Sequence, residues 1–542
     1  MSTRQEQWPW WKTAVIYQIY PISFQDSNND GYGDLEGIRS QIDYLVDLGV
    51  DAIWLNPINP SAMMDFGYDV LLHTGINPIF GNEVGFDRLV DDLHSRDIKL
   101  VLDFVPNYTS DKHPWFIESR SSQDNPKADW FVWAGGRKGV PPNHWGSMFG
   151  GSAWQWDEIR RQYYYHKYLK EMPTLNWHNP EVRKVMYDAM RYWLDRGVDG
   201  FRLDSINEII VDKHLRENPI ELRPDLSVFI PYFRQKHLYD EARPESFEIV
   251  REMRRLIDSY PDRMNLGEVG HKDVDLIVRY LGGKRADGLH LATNFDFFFQ
   301  PWKAQYFRLA VERVERFFPS TCWPAYGLSN HDYPRHISRY TPLGNQAKGM
   351  ARARVAAMML LTLRGTPLLY YGEEIGMQQQ RVPRRFLRDM IGKRFWPLYR
   401  GRDGCRTPMR WSHEPYAGFS KILPWMPVGI DKNGPTVEGQ KQDSCSLLNL
   451  YRDLIRLRKK KKKRVLQTGS YQCLDAPAGV FAYERLAGAS CLVVALNFTG
   501  FNRYFSLPRR GKLLLSTIPG RVYEGKKISL SPNEGCILEI LE

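Results

Sequence analysis

The chain runs to 542 residues with 43% hydrophobic and 25% charged positions, an ordinary globular make-up that excludes disordered and fibrous classes. Its 74 Lys and Arg against 63 Asp and Glu leave a formal charge of +11, which attracts polyanions non-specifically without naming one. No window reaches ~18 uninterrupted apolar residues, and the first eleven positions are polar and then Trp-rich, without the apolar centre of a signal peptide. A cytoplasmic protein with no membrane partner is the expectation.

Six cysteines all fall after position 321 and include no C-x-x-C pair, so neither a disulfide framework nor a zinc cluster is indicated. Aromatic residues, with 17 Trp and 29 Tyr, exceed what packing alone requires and point to a flat-faced ligand such as carbohydrate.

In chain order, Ala14–Pro21 reads as a strand, Leu35–Leu48 as a helix, Asp51–Pro57 as a strand, Gly85–His94 as a helix and Lys99–Val105 as a strand. Further strands are expected at Gly200–Ile206, Met264–Val269, Leu289–Phe295, Tyr326–His331 and Pro367–Tyr371. Helices are expected at Pro180–Asp195, Glu245–Ser259, Lys303–Phe317 and Ala347–Leu363. Eight strands alternating with helices predict a (β/α)₈ barrel, an α/β fold, over 1–105 and 178–463. The Trp-, Pro- and Gly-rich stretch 106–177 is too long for a bare loop and predicts an inserted subdomain after the third strand. Short alternating runs over 464–542 predict a C-terminal antiparallel β domain, a β-sandwich, and 378–440 an extended loop. The basic run from Arg458 to Arg464 continues the helical pattern Leu447–Leu457; a solvated helix face is expected there, and no nucleic-acid partner.

Reacting groups of such a barrel come from the C-terminal ends of its strands. The third strand here ends in Asp103, the fourth in Arg202-Leu203-Asp204, the fifth in Gly267-Glu268 and the seventh in Asn330-His331-Asp332. Four carboxylates on one rim fit glycosidic bond cleavage, where one must stay ionised and another must hold a proton. A retaining enzyme sets that pair ~5 Å apart and an inverting one ~6.5–9.5 Å; neighbouring strands can supply the shorter distance. Arg202, two residues before Asp204, would keep that carboxylate ionised.

With Ala14–Pro21, Gly200–Asp204, Gly267-Glu268, Asn330–Asp332 and Gly365–Glu374 in this order, the chain resembles the α-amylase superfamily, specifically its oligo-1,6-glucosidase and α-glucosidase branch. The resemblance extends from Trp10 to the end. It implies Asp204 as nucleophile, Glu268 as general acid and then base, and Asp332 as the group stabilising the transition state. It implies Tyr68 beneath the sugar, Arg202 and His331 on the nucleophile and sugar hydroxyls, and a pair formed by Asp65 and Arg406 at the non-reducing end. An exo-acting α-glucosidase on a small oligosaccharide or α-glucoside is the expected activity. A transferase or isomerase of trehalose-synthase or sucrose-isomerase type, and a non-catalytic amylase-like scaffold protein, stand as alternatives.

The segment from Asp26 to Asp34 puts oxygen ligands at alternate positions, like the first half of an EF-hand, but the twelfth position is Gly37 and not Glu. A plain Asn/Asp/Gly turn explains it equally well. The resemblance implies a structural Ca²⁺, with Mg²⁺ as the alternative, held by Asp26, Asn28, Asp30, the Tyr32 carbonyl and Asp34. Three positions depart from the branch: Tyr108 stands where His is usual, Met172-Pro173-Thr174-Leu175-Asn176 replaces Gln-Pro-Asp-Leu-Asn and loses a polar contact near the entrance, and Ser205 follows the nucleophile. Ser205 lies nearer the residues that accompany α-1,4 preference. The sequence is silent on oligomeric state.

Overall fold

The computed structural model describes residues 8–221, 230–429, 434–460 and 464–541. Eight parallel strands follow one another: β1 (Ile16–Ile19), β2 (Ala52–Leu55), β3 (Lys99–Phe104), β4 (Gly200–Leu203), β5 (Met264–Gly267), β6 (Leu291–Ala292), β7 (Ala325–Gly327) and β8 (Thr366–Tyr370). β8 pairs with β1, and a parallel bridge from Thr293, just past β6, to Ala325 joins the remaining edges. The sheet thereby closes into the expected barrel.

Side chains alternate across each strand. Ile16, Ala52, Val101, Met264, Leu291 and Leu368 meet in one cluster inside the barrel. Their neighbours Tyr17, Ile53, Leu100, Leu102, Phe201 and Leu203 pack outward against the helices. The helix Pro180–Asp195 shows why those helices form: Asn179 accepts from the Glu181 N–H, Pro180 takes the first turn, and Val182, Met186, Ala189 and Trp193 make one buried stripe. The segment expected as a single helix over 35–48 is two, Leu35–Ser40 and Ile42–Leu48, because the Gln41 backbone leaves helical geometry at φ −104°, ψ 11°. Among the described residues no helix is long and apolar enough to cross a membrane.

Between β3 and Pro180, strands Trp133–Ala134, Trp154–Asp157 and Gln162–Tyr165 form a small antiparallel sheet. The described part of 378–440 carries only short helical turns, such as Met390–Arg394. The C-terminal strands form an antiparallel six-stranded sheet, and Val480, Val493, Phe505, Ile528 and Leu538 from five of them meet in one core of their own. The long strand Arg503–Ser516 pairs first with Glu524–Leu530 and then with Gly535–Ile540, with a register shift in each pairing, and that shared strand makes the hydrogen bonding continuous.

Arg458 corrects the solvated-face expectation. It is 1% exposed and donates to the carbonyls of Leu361, Gly365 and Leu466. Arg485 is likewise buried and donates to Leu466 and Gly469. These guanidiniums satisfy carbonyls that the chain leaves open where helix and strand ends meet. Lys459 pairs with Asp51 at 2.7 Å, and Lys461, Lys462 and Lys463 lie outside the described residues.

Candidate active site

The alternation that buries Val101 and Ala52 also turns Asp103 and Arg202 inward, and two residues further Asp204 and Glu268. Register sets their neighbours: Asp103 lies opposite Arg202, and Leu203 opposite Gly267. The Glu268 N–H donates to the Leu203 carbonyl at 2.9 Å and the Asp204 N–H to Phe104 at 3.0 Å, so the pairing continues one step past the strands. Asp204 and Glu268 therefore stand side by side on adjacent strands, which a sheet spaces at ~4.8 Å.

One guanidinium ties the group together. Arg202 Nη1 lies 2.8 Å from Asp103 Oδ1 and 2.6 Å from Asp204 Oδ1, while Nη2 lies 2.6 Å from Glu268 Oε2. The second Asp204 oxygen accepts from the Tyr108 hydroxyl at 2.6 Å. Tyr108, at the position where the branch has His, thus lies on the candidate nucleophile. Ser205 takes the left-handed conformation, φ 44° and ψ 41°, strained for a residue with a side chain. It aims its N–H at Glu268 Oε2, 3.1 Å away. Its hydroxyl contacts Tyr168 at 2.6 Å, and Tyr168 donates to Glu208 at 2.7 Å.

Burial pushes the Glu268 carboxyl up to about 8, helped by the charges of Asp204 and Asp332 and opposed by Arg202. A carboxyl raised in this way keeps a proton for a leaving group at neutral pH. Activity is therefore expected to fall as pH rises through about 8, checked by a kcat/KM profile. For stability the sign is opposite to a salt-bridged acid's: the contribution is complete below the ordinary 4.5 and lost on rising through about 8.

His331 Nδ1 faces the amide nitrogens of Gln18 at 2.9 Å and Asn56 at 3.3 Å, which only donate, so its proton sits on Nε2. Nε2 reaches Asp332 Oδ2 at 3.1 Å and the Tyr68 hydroxyl at 2.7 Å. Burial holds this imidazole well below its ordinary range and neutral. The Tyr68 ring stacks on it at 5.3 Å, and its hydroxyl donates to Asp103 at 2.8 Å. The other Asp332 oxygen meets Arg402 at 3.2 Å and Arg406 at 3.1 Å; these cations and His331 hold Asp332 below the usual carboxylate range against its burial.

The expected pair of Asp65 and Arg406 is corrected. Asp65 bonds Arg402 Nη2 at 2.5 Å. Arg406 is fully buried and spends its Nε on the His331 carbonyl at 2.8 Å. Arg402 also holds Asp389 at 2.9 Å and lies 5.1 Å from the Phe149 ring. Sequence reading missed it because two arginines four residues apart look alike; the Asp389 thirteen residues upstream was the available signal. Thr174 is 1% exposed, and its backbone bridges that of Tyr108.

The loop from Asp26 to Asp34 forms one tight turn. Asp26 accepts from the N–H groups of Asn28, Asn29 and Gly31 and from the Ser420 hydroxyl; Asp34 accepts from Ser27 and caps the helix at Gly37. Gly31 sits at φ +89° with the Leu423 carbonyl where a Cβ would be, so only glycine fits. Among the described residues no Lys or Arg pairs with Asp26, Asp30 or Asp34, and Asp26 adds to the upward shift that burial gives Asp34. An all-oxygen, negatively charged donor set is the kind a hard cation takes, but both oxygens of Asp26, Asp30 and Asp34 already accept from N–H or hydroxyl donors, and the three do not bring ligand atoms within 4.8 Å of one another. Only one trio of described acids and imidazoles, His237, Asp240 and Glu241, comes within 4.8 Å, and there Lys167 already stands 2.8 Å from both carboxylates.

A closed parallel barrel whose C-terminal rim holds an arginine-bound carboxylate beside a proton-holding carboxyl is the arrangement of a retaining glycoside hydrolase. Comparison with known proteins agrees. The α-amylase catalytic-domain family matches residues 18–469. A probable α-glucosidase of Rhizobium meliloti (strain 1021) is 41% identical over 498 residues, 88% of this chain and 87% of that one. An oligo-1,6-glucosidase of Parageobacillus thermoglucosidasius is 35% identical, covering 98% and 99%. Among solved structures, the α-glucosyl transfer enzyme XgtA superposes with a TM-score of 0.92 at 39% identity over 99% of this chain and 100% of that one. The chain belongs to the α-amylase family.

Proposed function

We propose that this protein is an exo-acting α-glucosidase that cleaves short α-glucosides with retention of configuration. The observation that carries it is the single Arg202 fork holding Asp204 and Glu268 on neighbouring strands. Asp204 attacks C1 of the terminal glucose, the C1–O bond breaks, and the Glu268 proton goes to the departing oxygen. Water, deprotonated by Glu268, then attacks C1 and frees Asp204. Asp332, ionised, stabilises the positive charge that develops on the sugar ring between these states. Tyr68 and His331 line the sugar pocket, and Asp65 with Arg402 closes its far end, which favours release of one terminal glucose.

Transfer of the glucosyl group to a second sugar in place of water is the second reading, supported by the likeness to a glucosyl transfer enzyme. The test is a screen of maltose, isomaltose, sucrose, trehalose and an aryl α-glucoside with products identified. Free α-glucose supports hydrolysis, new disaccharides support transfer, and no turnover of any of the five overturns both. An α-1,4 leaning, carried by Ser205, predicts maltose ahead of isomaltose.

A Ca²⁺ or Mg²⁺ ion in the loop of Asp26, Asn28, Asp30, Tyr32 and Asp34 belongs to the same proposal, as a clamp on the first βα connection. Saturating ion at 100-fold its Kd would add ~2.7 kcal/mol to stability. Chelation is expected to lower Tm and re-addition to restore it, while Asp30→Ala makes Tm insensitive to both; an unchanged wild-type Tm on chelation removes the ion from the account. A compartment that keeps thiols reduced is supported by the six free cysteines.

A further inference from the structure

The loop that follows β8 borders the catalytic pocket on two sides. Arg394 Nη1 donates to the Gly150 carbonyl of the inserted segment at 3.0 Å, and Arg402 reaches Asp332 at 3.2 Å. Between residues 378 and 402 its only acid is Asp389, which is buried against Arg402. Seven cations of the same stretch are exposed: Arg381, Arg384, Arg385, Arg388, Lys393, Arg394 and Arg400. Among the described residues none of the seven pairs with a carboxylate, whereas Arg402 beside them pairs with Asp65, Asp332 and Asp389. Such a concentration of one sign around a cleft raises the local concentration of anions.

Three of these guanidiniums lie over their neighbours' rings: Arg385 on Phe386 at 4.9 Å, Arg394 on Phe395 at 5.7 Å and Arg400 on Trp396 at 5.3 Å. A guanidinium resting on a ring can still turn its N–H edge to a carboxylate or phosphate; Arg394 spends one such N–H on Gly150. Arg381 and Arg400 also flank a cavity of about 560 Å³ whose other walls include Gln379, Gln380, Tyr399 and Pro334, within the size of a ligand site. Two of its walls, Pro334 and Gly401, stand two residues after Asp332 and one before Arg402, whose side chains meet at 3.2 Å. The cavity thus lies beside the residues that hold Asp332 at the catalytic rim.

We propose that this cavity is a leaving-group subsite and that the enzyme selects α-glucosides whose leaving group carries an anionic substituent, a phosphate or a carboxylate, seated between Arg381 and Arg400. The proposal rests on the glucosidase reading and adds the substrate class. Bonds made and broken are unchanged; the anion contributes binding, not chemistry.

The test uses two matched pairs: maltose with and without a 6-phosphate on its reducing glucose, and 4-carboxyphenyl α-glucoside with its methyl ester. The anionic member of at least one pair is expected to show a kcat/KM ~10-fold higher at ~0.05 M salt, shrinking at ~0.5 M as the field is screened. A preference confined to the phosphate pair identifies a sugar phosphate, and one confined to the aryl pair an aromatic acid. In the double variant Arg381→Gln/Arg400→Gln the ratio falls to about one, while Arg381→Lys/Arg400→Lys retains part of it. Equal kcat/KM within both wild-type pairs, or a preference that survives the Gln double variant, overturns the proposal. Turnover of neither maltose nor the neutral ester would instead sink the glucosidase reading beneath it.

Discussion

Asp204→Asn is expected to lower kcat by ~10⁴-fold or more while the protein stays folded with a Tm within a few degrees of wild type. The loss is large because the amide neither attacks C1 nor leaves it, and no other carboxylate takes its place: Asp103 points its oxygens at Arg202 and Tyr68. The fold survives because Arg202 keeps Asp103 and Glu268, and Tyr108 can still donate to the amide oxygen. Glu268→Gln separates the two roles. With maltose, whose leaving oxygen needs a proton, its cost is ~10²–10⁴-fold; with 4-nitrophenyl α-glucoside, which leaves unaided, the first step should be nearly intact and the second slow, so a burst of nitrophenol precedes a low steady rate. The same variant is expected to be more stable than wild type above pH 8, since it removes a carboxyl that burial resists ionising. A steady-state rate for Asp204→Asn near wild type, or equal losses for Glu268→Gln on both substrates, would reverse the assignment.

What sequence made legible follows from period and position. The strands announced themselves because their residues are buried on both faces, and two-residue alternation alone carries Arg202, Asp204 and Glu268 onto the barrel's inner side. The helix Pro180–Asp195 was legible to the residue because cap, proline and apolar stripe agree. Where one local signal stood for a three-dimensional fact, expectation failed. Arg458 looks like the start of a solvated run, yet the open carbonyls of Leu361, Gly365 and Leu466 come from distant segments that meet only in the fold. The Arg402 assignment failed for the same reason: Asp65 lies 337 positions away and its distance to two nearby arginines is not written in either segment.

Removing Arg402 is the second large effect. Arg402→Leu leaves three buried or half-buried carboxylates, Asp65, Asp332 and Asp389, without their common cation. Asp332 keeps Arg406 and His331, but for Asp65 and Asp389 breaking a buried pair from the arginine side costs ~3–5 kcal/mol, because a buried charge loses its cation without gaining water. Burial already pushes Asp65 up to about 6 with Arg402 in place. Its sign is that of a raised acid: its stability contribution is complete below the ordinary 3.8 and lost as pH rises through about 6. Wild type should therefore lose stability at this site between those values, and Asp65→Asn should remove that part of the Tm–pH curve while sparing the fold. Arg402→Leu should depress Tm most above pH 6, and adding Asp65→Asn should recover much of it, so the two effects are strongly non-additive. On activity, both single variants are expected to raise KM for maltose more than they lower turnover of an aryl glucoside, and to increase cleavage inside longer chains relative to release of terminal glucose, because the wall behind the terminal ring is gone. Product profiles on maltoheptaose read that directly. Glucose as sole first product from Asp65→Asn and Arg402→Leu alike would mean that another part of the pocket closes the end.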